Sequence, residues 1–190
     1  MAPGETAPEK TAPEPLRLVQ RFVNSVDLES GEDELESPEA LRAWLGERDL
    51  IAGGARVSSA DLRRARDARE GLRALLMRNN GLRFDAAKVD RLDAVARRAG
   101  LRASMSMSSG PELVPAATGV DAAIAQLLAI SLLAVADGTW ERLKACPRED
   151  CEWAFYDHSK NRSGRWCSMD VCGNQAKARA FRARRRAAHA

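Results

Sequence analysis

No run of roughly 18 to 20 uninterrupted apolar residues, the length that spans a bilayer, occurs in this chain of 190 residues. The longest candidate, Ile124 to Ala136, lies mid-chain. The N-terminus lacks the apolar stretch of a signal peptide. A glycine-rich phosphate loop is missing too, as is any set of nucleophile, base and orienting residue, so neither a membrane partner nor an enzyme is expected. Cysteine is scarce: there are four, and all fall after Lys144. A chain without these targeting signals is expected in the cytoplasm, where thiols stay reduced and paired cysteines point to metal sooner than to disulfides.

What is present divides the chain in two. At 45% hydrophobic it can bury a core. Residues 144–190 hold eleven basic against five acidic residues, and since the whole chain carries +3, residues 1–143 carry −3. A basic end on a slightly acidic body points to contact with nucleic acid or another anionic surface. Met1 to Pro15, built of Ala, Pro, Glu and Thr, has nothing to bury and reads as a disordered tail.

Helical spacing of Leu18, Val19, Phe22, Val23 and Val26 predicts a first helix over Leu16–Asp27, followed by an acidic loop over Glu29–Glu36. Ser37-Pro38-Glu39 is a helix start, with Ser37 as the cap, and Gly53-Gly54 closes that unit. A long third helix begins at Ser59 and Asp61-Leu62, has arginines on its outer side and ends near Asn79-Asn80-Gly81. A fourth, capped by Asp85, runs to Gly100. Between Leu101 and Ala116, alternation of Leu101, Ala103, Met105 and Met107 followed by Ser108-Ser109-Gly110 predicts a two-stranded hairpin. Val120–Ala136, apolar nearly all round, is expected at the centre of the core, and Trp140–Ala145 leads as a strand toward Cys146. The fold class is therefore mainly α with a small β-hairpin. Its helical N-terminal domain covers residues 16–139, its metal module and basic helix residues 140–186, and residues 187–190 are a tail.

Cys146 and Cys151 form one close pair, Cys167 and Cys172 another, with fifteen residues between the pairs. Two clamps joined by a loop suit tetrahedral zinc, and four thiolates leave no position for water or substrate, so the site is structural. The alternatives are a redox switch in which the thiols form disulfides, or unpaired core cysteines. His158 is a rival ligand, expected instead at the surface or beside the shell. Trp153, Phe155 and Tyr156 supply a minimal core for a unit too small to fold without metal.

After Cys172-Gly173-Asn174, residues 175–186 are alanine-rich and contain Lys177, Arg179, Arg182, Arg184, Arg185 and Arg186 with no acid. Arg179, Arg182 and Arg186 share a helix face, and Phe181 is the one apolar residue to dock it. Lys160, Asn161, Arg162 and Arg165 extend this surface, with Asn161 or Asn174 placed to read a base edge. The alternatives are a solvated basic tail, an RNA-binding module that stacks bases on Trp153, Phe155, Tyr156 and Trp166, or a thiol sensor that ejects zinc on oxidation. Asn24 and Asp27 on the first helix, with Arg73 on the third, either line a pocket for a small-molecule effector or make ordinary helix-packing hydrogen bonds.

Cys146-Pro147 to Cys151, Phe155 to Ser163, Trp166-Cys167-Ser168-Met169 and Cys172-Gly173-Asn174 followed by Lys177-Ala178-Arg179 together resemble the CGNR zinc finger of bacterial stress-induced transcriptional regulators. The segment Leu18-Val19-Gln20-Arg21-Phe22-Val23-Asn24-Ser25-Val26-Asp27 looks like the helical domain that precedes the finger in that family. The resemblance implies a treble-clef-like finger, one zinc ion and a DNA-binding regulator; a homodimer is expected because one small module gives limited affinity. Two positions depart from the pattern. Gln175 stands where the motif has Arg, and Gly164 where relatives often carry Arg, so weaker or altered DNA binding is expected if those arginines touch DNA.

Overall fold

In the computed structural model of the protein, residues 10–108 and 110–187 are described. Helices α1 (Leu16–Val23), α2 (Pro38–Gly46), α3 (Ser59–Asn79) and α4 (Ala86–Ala99) lead to a hairpin of β1 (Leu101–Ser106) and β2 (Gly110–Pro115). Helix α5 (Gly119–Ala136) follows, then a 3-10 turn, a second hairpin of β3 (Leu143–Ala145) and β4 (Ala154–Tyr156), a π-helical turn over Met169–Gly173, and α6 (Asn174–Ala187). Both hairpins are antiparallel, with Leu101 opposite Pro115 in the first and Leu143 opposite Tyr156 in the second.

The helix starts follow local chemistry. Ser37 caps α2 by accepting from Ala40 N at 3.1 Å, and Asp85 caps α4 by accepting from Ala87 N. Helix α3 starts at Ser59 as expected, with Ser58 as its cap in a reciprocal capping box with Asp61. Helix α1 is shorter than its apolar pattern, ending at Val23: Asn24 leaves the helix, and Val26 bridges Asp33 to close the acidic loop.

Long α3 is the axis of the body. Leu72 and Leu76 pack with Val19 and Phe22 of α1, Trp44 of α2, Leu92 of α4 and Ile124 and Leu127 of α5 in one buried cluster. Its arginines are not all outside, contrary to the expected pattern. Arg69 and Arg73 are 5% and 2% exposed, Arg69 on Asp33 at 2.6 Å and Arg73 on Glu70 at 2.7 Å. Such burial is tolerable because each guanidinium is paired.

Gly71 lets α3 and α4 approach closely. A β-carbon there would fall 2.8 Å from the Lys88 carbonyl and collide with the Leu92 side chain. Gly71→Ala is therefore expected to cost about 1–3 kcal/mol by overpacking, despite its better helix propensity, and to lower the urea midpoint without changing the slope.

Three further expectations are corrected. The tail is not free as far as Pro15: Ala12 is buried and its amide donates to Gln20 Oε1 at 2.7 Å, while residues 1–9 lie outside the described residues. Of the expected tail 187–190, Ala187 ends α6 and residues 188–190 lie outside them too. Helix α5 is 18 residues long with mean hydropathy 2.0, enough by length and composition to cross a membrane, although half of it is buried inside the protein. Leu132, Leu133 and Val135 near its C-terminal end are exposed while Ala134 stays in the core, so there only one face of the helix is buried.

The finger hairpin is not a separate appendage. Leu143, Ala145, Ala154 and Tyr156 belong to the same buried cluster as α1 and α3.

Candidate metal centre and nucleic-acid interface

Cys146 directly follows β3, Cys151 lies in the tight turn before β4, Cys167 is in the loop after it, and Cys172 sits in the π-helical turn that starts α6. This hairpin, loop and helix make a treble-clef-like finger. The turn is fixed by Cys146 N donating to Trp153 O, and by Cys151 N and Glu152 N both donating to Arg148 O. All four sulfurs lie within 4.8 Å of one another, with 3.7 Å between Cys151 and Cys167, 3.6 Å between Cys167 and Cys172, and 3.8 Å between Cys172 and Cys151. Tetrahedral Zn–S bonds of about 2.3 Å place sulfurs about 3.8 Å apart. The cluster fits zinc, and the cysteines are free of disulfides.

Among themselves the thiols resist full ionisation. Hydrogen bonds from Cys151 and Cys167 hold the Cys146 thiol far below its ordinary value. The bond to Cys146 pushes Cys151 up, Cys167 is raised by its bonds to Cys146 and Cys151, and Cys172 is raised by burial and the Cys146 charge. A divalent cation offsets this mutual repulsion, so zinc binding is what makes the set a tetrathiolate. His158 stands apart from the sulfurs, its Nε2 2.9 Å from Thr11 O and its ring edge-on to Tyr156.

Lys144 and Asp157 shape the loop after β4. Lys144 Nζ donates to Asp157 Oδ2 at 2.7 Å and to the carbonyls of Arg162 and Gly164. Asp157 also accepts from Ser159 N and Gly164 N. Lys160, Asn161, Arg162 and Arg165 are thereby displayed on the surface, Arg162 pairing with Glu141 at 3.3 Å. Burial alone would raise the Asp157 pKa, but the Lys144 and Ser159 bonds outweigh it and hold the carboxyl at about 2, below its ordinary 3.8. A depressed carboxyl stabilises the fold above its unfolded pKa. The contribution, about 2 kcal/mol, is present above about pH 4 and is lost as pH falls toward 2. In urea titrations the stability gap between the protein and its Asp157→Asn variant should be widest near neutrality and narrow over that window.

Helix α6 projects from Cys172 with its side chains exposed from Lys177 to Arg186. Phe181 does not dock it, being 55% exposed with the Arg185 guanidinium 6.0 Å from its ring centre. Asn174 Nδ2 donates to Asp170 O at the helix start. Of the aromatic residues considered for base stacking, Phe155 and Tyr156 are buried and Trp153 and Trp166 half-buried.

A family model of the CGNR zinc finger matches residues 142–185, and that of ABATE, a putative stress-induced transcription regulator, matches residues 16–145. The chain belongs to this family. No curated protein matches it.

Within this CGNR finger the two departures have intramolecular reasons. Gln175 Oε1 accepts from Arg148 Nη1 at 3.0 Å, and Arg148, 2% exposed, also pairs with Asp150 at 2.8 Å and with Glu29 of the ABATE domain. Burial works against the Arg148 charge, but Glu29 and the Cys172 and Cys151 sulfurs hold it cationic. An arginine at 175 would set like charges side by side. Gly164 has no room for a side chain, since a β-carbon would lie 2.6 Å from Asp157 Oδ1.

Of the two readings of Asn24, Asp27 and Arg73, the hydrogen bonds they make within the fold match ordinary packing. Asn24 mimics a strand partner, donating to Ala154 O at 2.9 Å and accepting from Ala154 N at 2.7 Å. Asp27 caps its own loop by accepting from Glu29 N and Ser30 N. Arg73 lies between Glu70 and the Val23 carbonyl. Beside Asn24, the fasteners of finger to domain that sequence reading passed over are Gln20 on Ala154 O, Asn79 on the Trp140 and Leu143 carbonyls, Asn80 on those of Ala145 and Arg165, and Arg148. The Asn79-Asn80 pair, read as a helix end, was their one visible signal.

Proposed function

We propose that the protein regulates transcription by binding duplex DNA through α6 and the Lys160–Arg165 loop, with zinc serving only to hold that surface. One observation carries this reading. Helix α6 is rooted in the metal turn at Cys172 yet exposed from Lys177 to Arg186, with six cations and no acidic residue between Gln175 and Arg186. A guanidinium array on a rigid base suits phosphate contacts, and exposed Asn161 is free to reach a base edge.

The test is selection from a random duplex pool by zinc-loaded protein, beside a chelated control. A recovered motif that requires zinc supports the proposal, and absence of enrichment sinks it. Base stacking on RNA is less favoured, because Phe155 and Tyr156 are inside the core. Partial exposure of Cys151 and Cys167 favours a second role as a thiol sensor, which demands zinc release at mild peroxide doses.

A further inference from the structure

A cleft of about 200 Å³ opens where α3, the start of α4 and the finger turn after Cys151 meet. Met77 and Phe84 give it apolar wall, while Arg73, Arg83, Lys88, Glu152 and Asp85, whose carboxylate caps α4, give it charge. Three features of these groups are not explained by packing.

Arg73 is 2% exposed and spends its Nη atoms on Glu70 and the Val23 carbonyl, but its buried Nε–H has no acceptor among the described residues. A buried donor left so is costly, and such groups are rare in native interiors. The cations are also thinly partnered: beyond the Arg69–Asp33 pair, the one Glu70 carboxylate serves Arg73 and Lys88, with Lys88 at 3.6 Å, and exposed Arg83 makes no ion pair among the described residues. Opposing them, the finger contributes Glu152. Its backbone is held at φ 44°, a conformation that costs a non-glycine residue energy and clusters at functional sites. Its carboxylate makes no hydrogen bond or ion pair among the described residues.

Opposite charges from two parts of the chain thus border one cleft without meeting. We propose that the cleft binds a small amphoteric molecule of free amino acid size, its carboxylate on Arg73, Arg83 and Lys88, its ammonium on Glu152, and its apolar frame against Met77 and Phe84. The volume, below the ~300–1,000 Å³ of drug-sized sites, sets that size limit. Neither a simple anion nor a simple cation answers both sets of unpaired groups.

Calorimetric titration of the zinc-loaded full chain with the common L-amino acids tests this. For leucine the single-charge controls are 4-methylpentanoate and 3-methylbutylamine, with matching controls for any other amino acid that binds. At least one amino acid should bind, its controls should bind about tenfold weaker or worse, and Arg83→Ala and Glu152→Gln should each weaken it about tenfold, the worth of one charge-assisted bond. Arg83 is exposed and makes no ion pair, so its variant should fold; an unchanged melting curve verifies that for both. Absence of binding up to about 10 mM for every amino acid overturns the proposal. So does a carboxylate-only control that binds as tightly as its amino acid and ignores Glu152→Gln.

Discussion

Replacing Cys172 with serine is expected to abolish zinc retention and to lower the melting temperature of the whole chain, not of the finger alone. Zinc in small modules supplies on the order of 10 kcal/mol of apparent folding free energy. Here that energy cannot stay local, because Leu143, Ala145, Ala154 and Tyr156 share the core of α1 and α3. Release of the hairpin would uncover those residues and leave Asn24 and Asn80 without their carbonyl partners, while Gln20 would keep only that of Lys10. Each such buried amide costs about 1–3 kcal/mol when orphaned. Scanning calorimetry should show one cooperative transition with zinc, and a lower, broadened one after chelation or in the variant. A body transition that kept its temperature while the finger melted separately would refute the shared-core account.

Changing Arg179, Arg182 and Arg186 together to alanine should cut DNA affinity by on the order of 100-fold near 0.1 M salt and flatten its salt dependence. Each phosphate contact contributes about 0.9 to the slope of log K against log salt, so three lost contacts should remove about 2.7. Stability should hardly change, since these side chains are exposed and alanine is the best helix former. That separation of binding from folding makes the variant informative. Unchanged affinity and slope would refute the proposed role of α6 in binding DNA. By contrast, Arg148 joins Glu29, Asp150 and Gln175 around one buried guanidinium, and its loss would disturb folding and the seating of α6 together.

Much of this molecule is legible without coordinates. Cysteine spacing announces the metal because coordination is a short-range rule: a pair five residues apart clamps one side of an ion whatever surrounds it. Helices α2 and α4 and the 101–115 hairpin are equally local, written in Ser37-Pro38, Asp85 and the sequence Ser108-Ser109-Gly110 between the strands. The basic character of α6 needs no tertiary information either.

Tertiary structure decided what those elements do to one another. Asn24 reads as a polar residue near an apolar face, and only the arrival of β4, 130 residues later, makes it a partner for Ala154. Arg69 and Arg73 look like outward charges until Asp33 and Glu70 enclose them. Gln175 and Gly164 read as losses from a motif; in the fold one receives Arg148 and the other makes room for Asp157. The sequence by itself determined the zinc ligands, most helix starts and the charge of the last helix, because each depends on neighbours within a few residues. Folding alone decided that finger and helical domain share one core, because that depends on hydrogen bonds and packing between residues far apart in the chain.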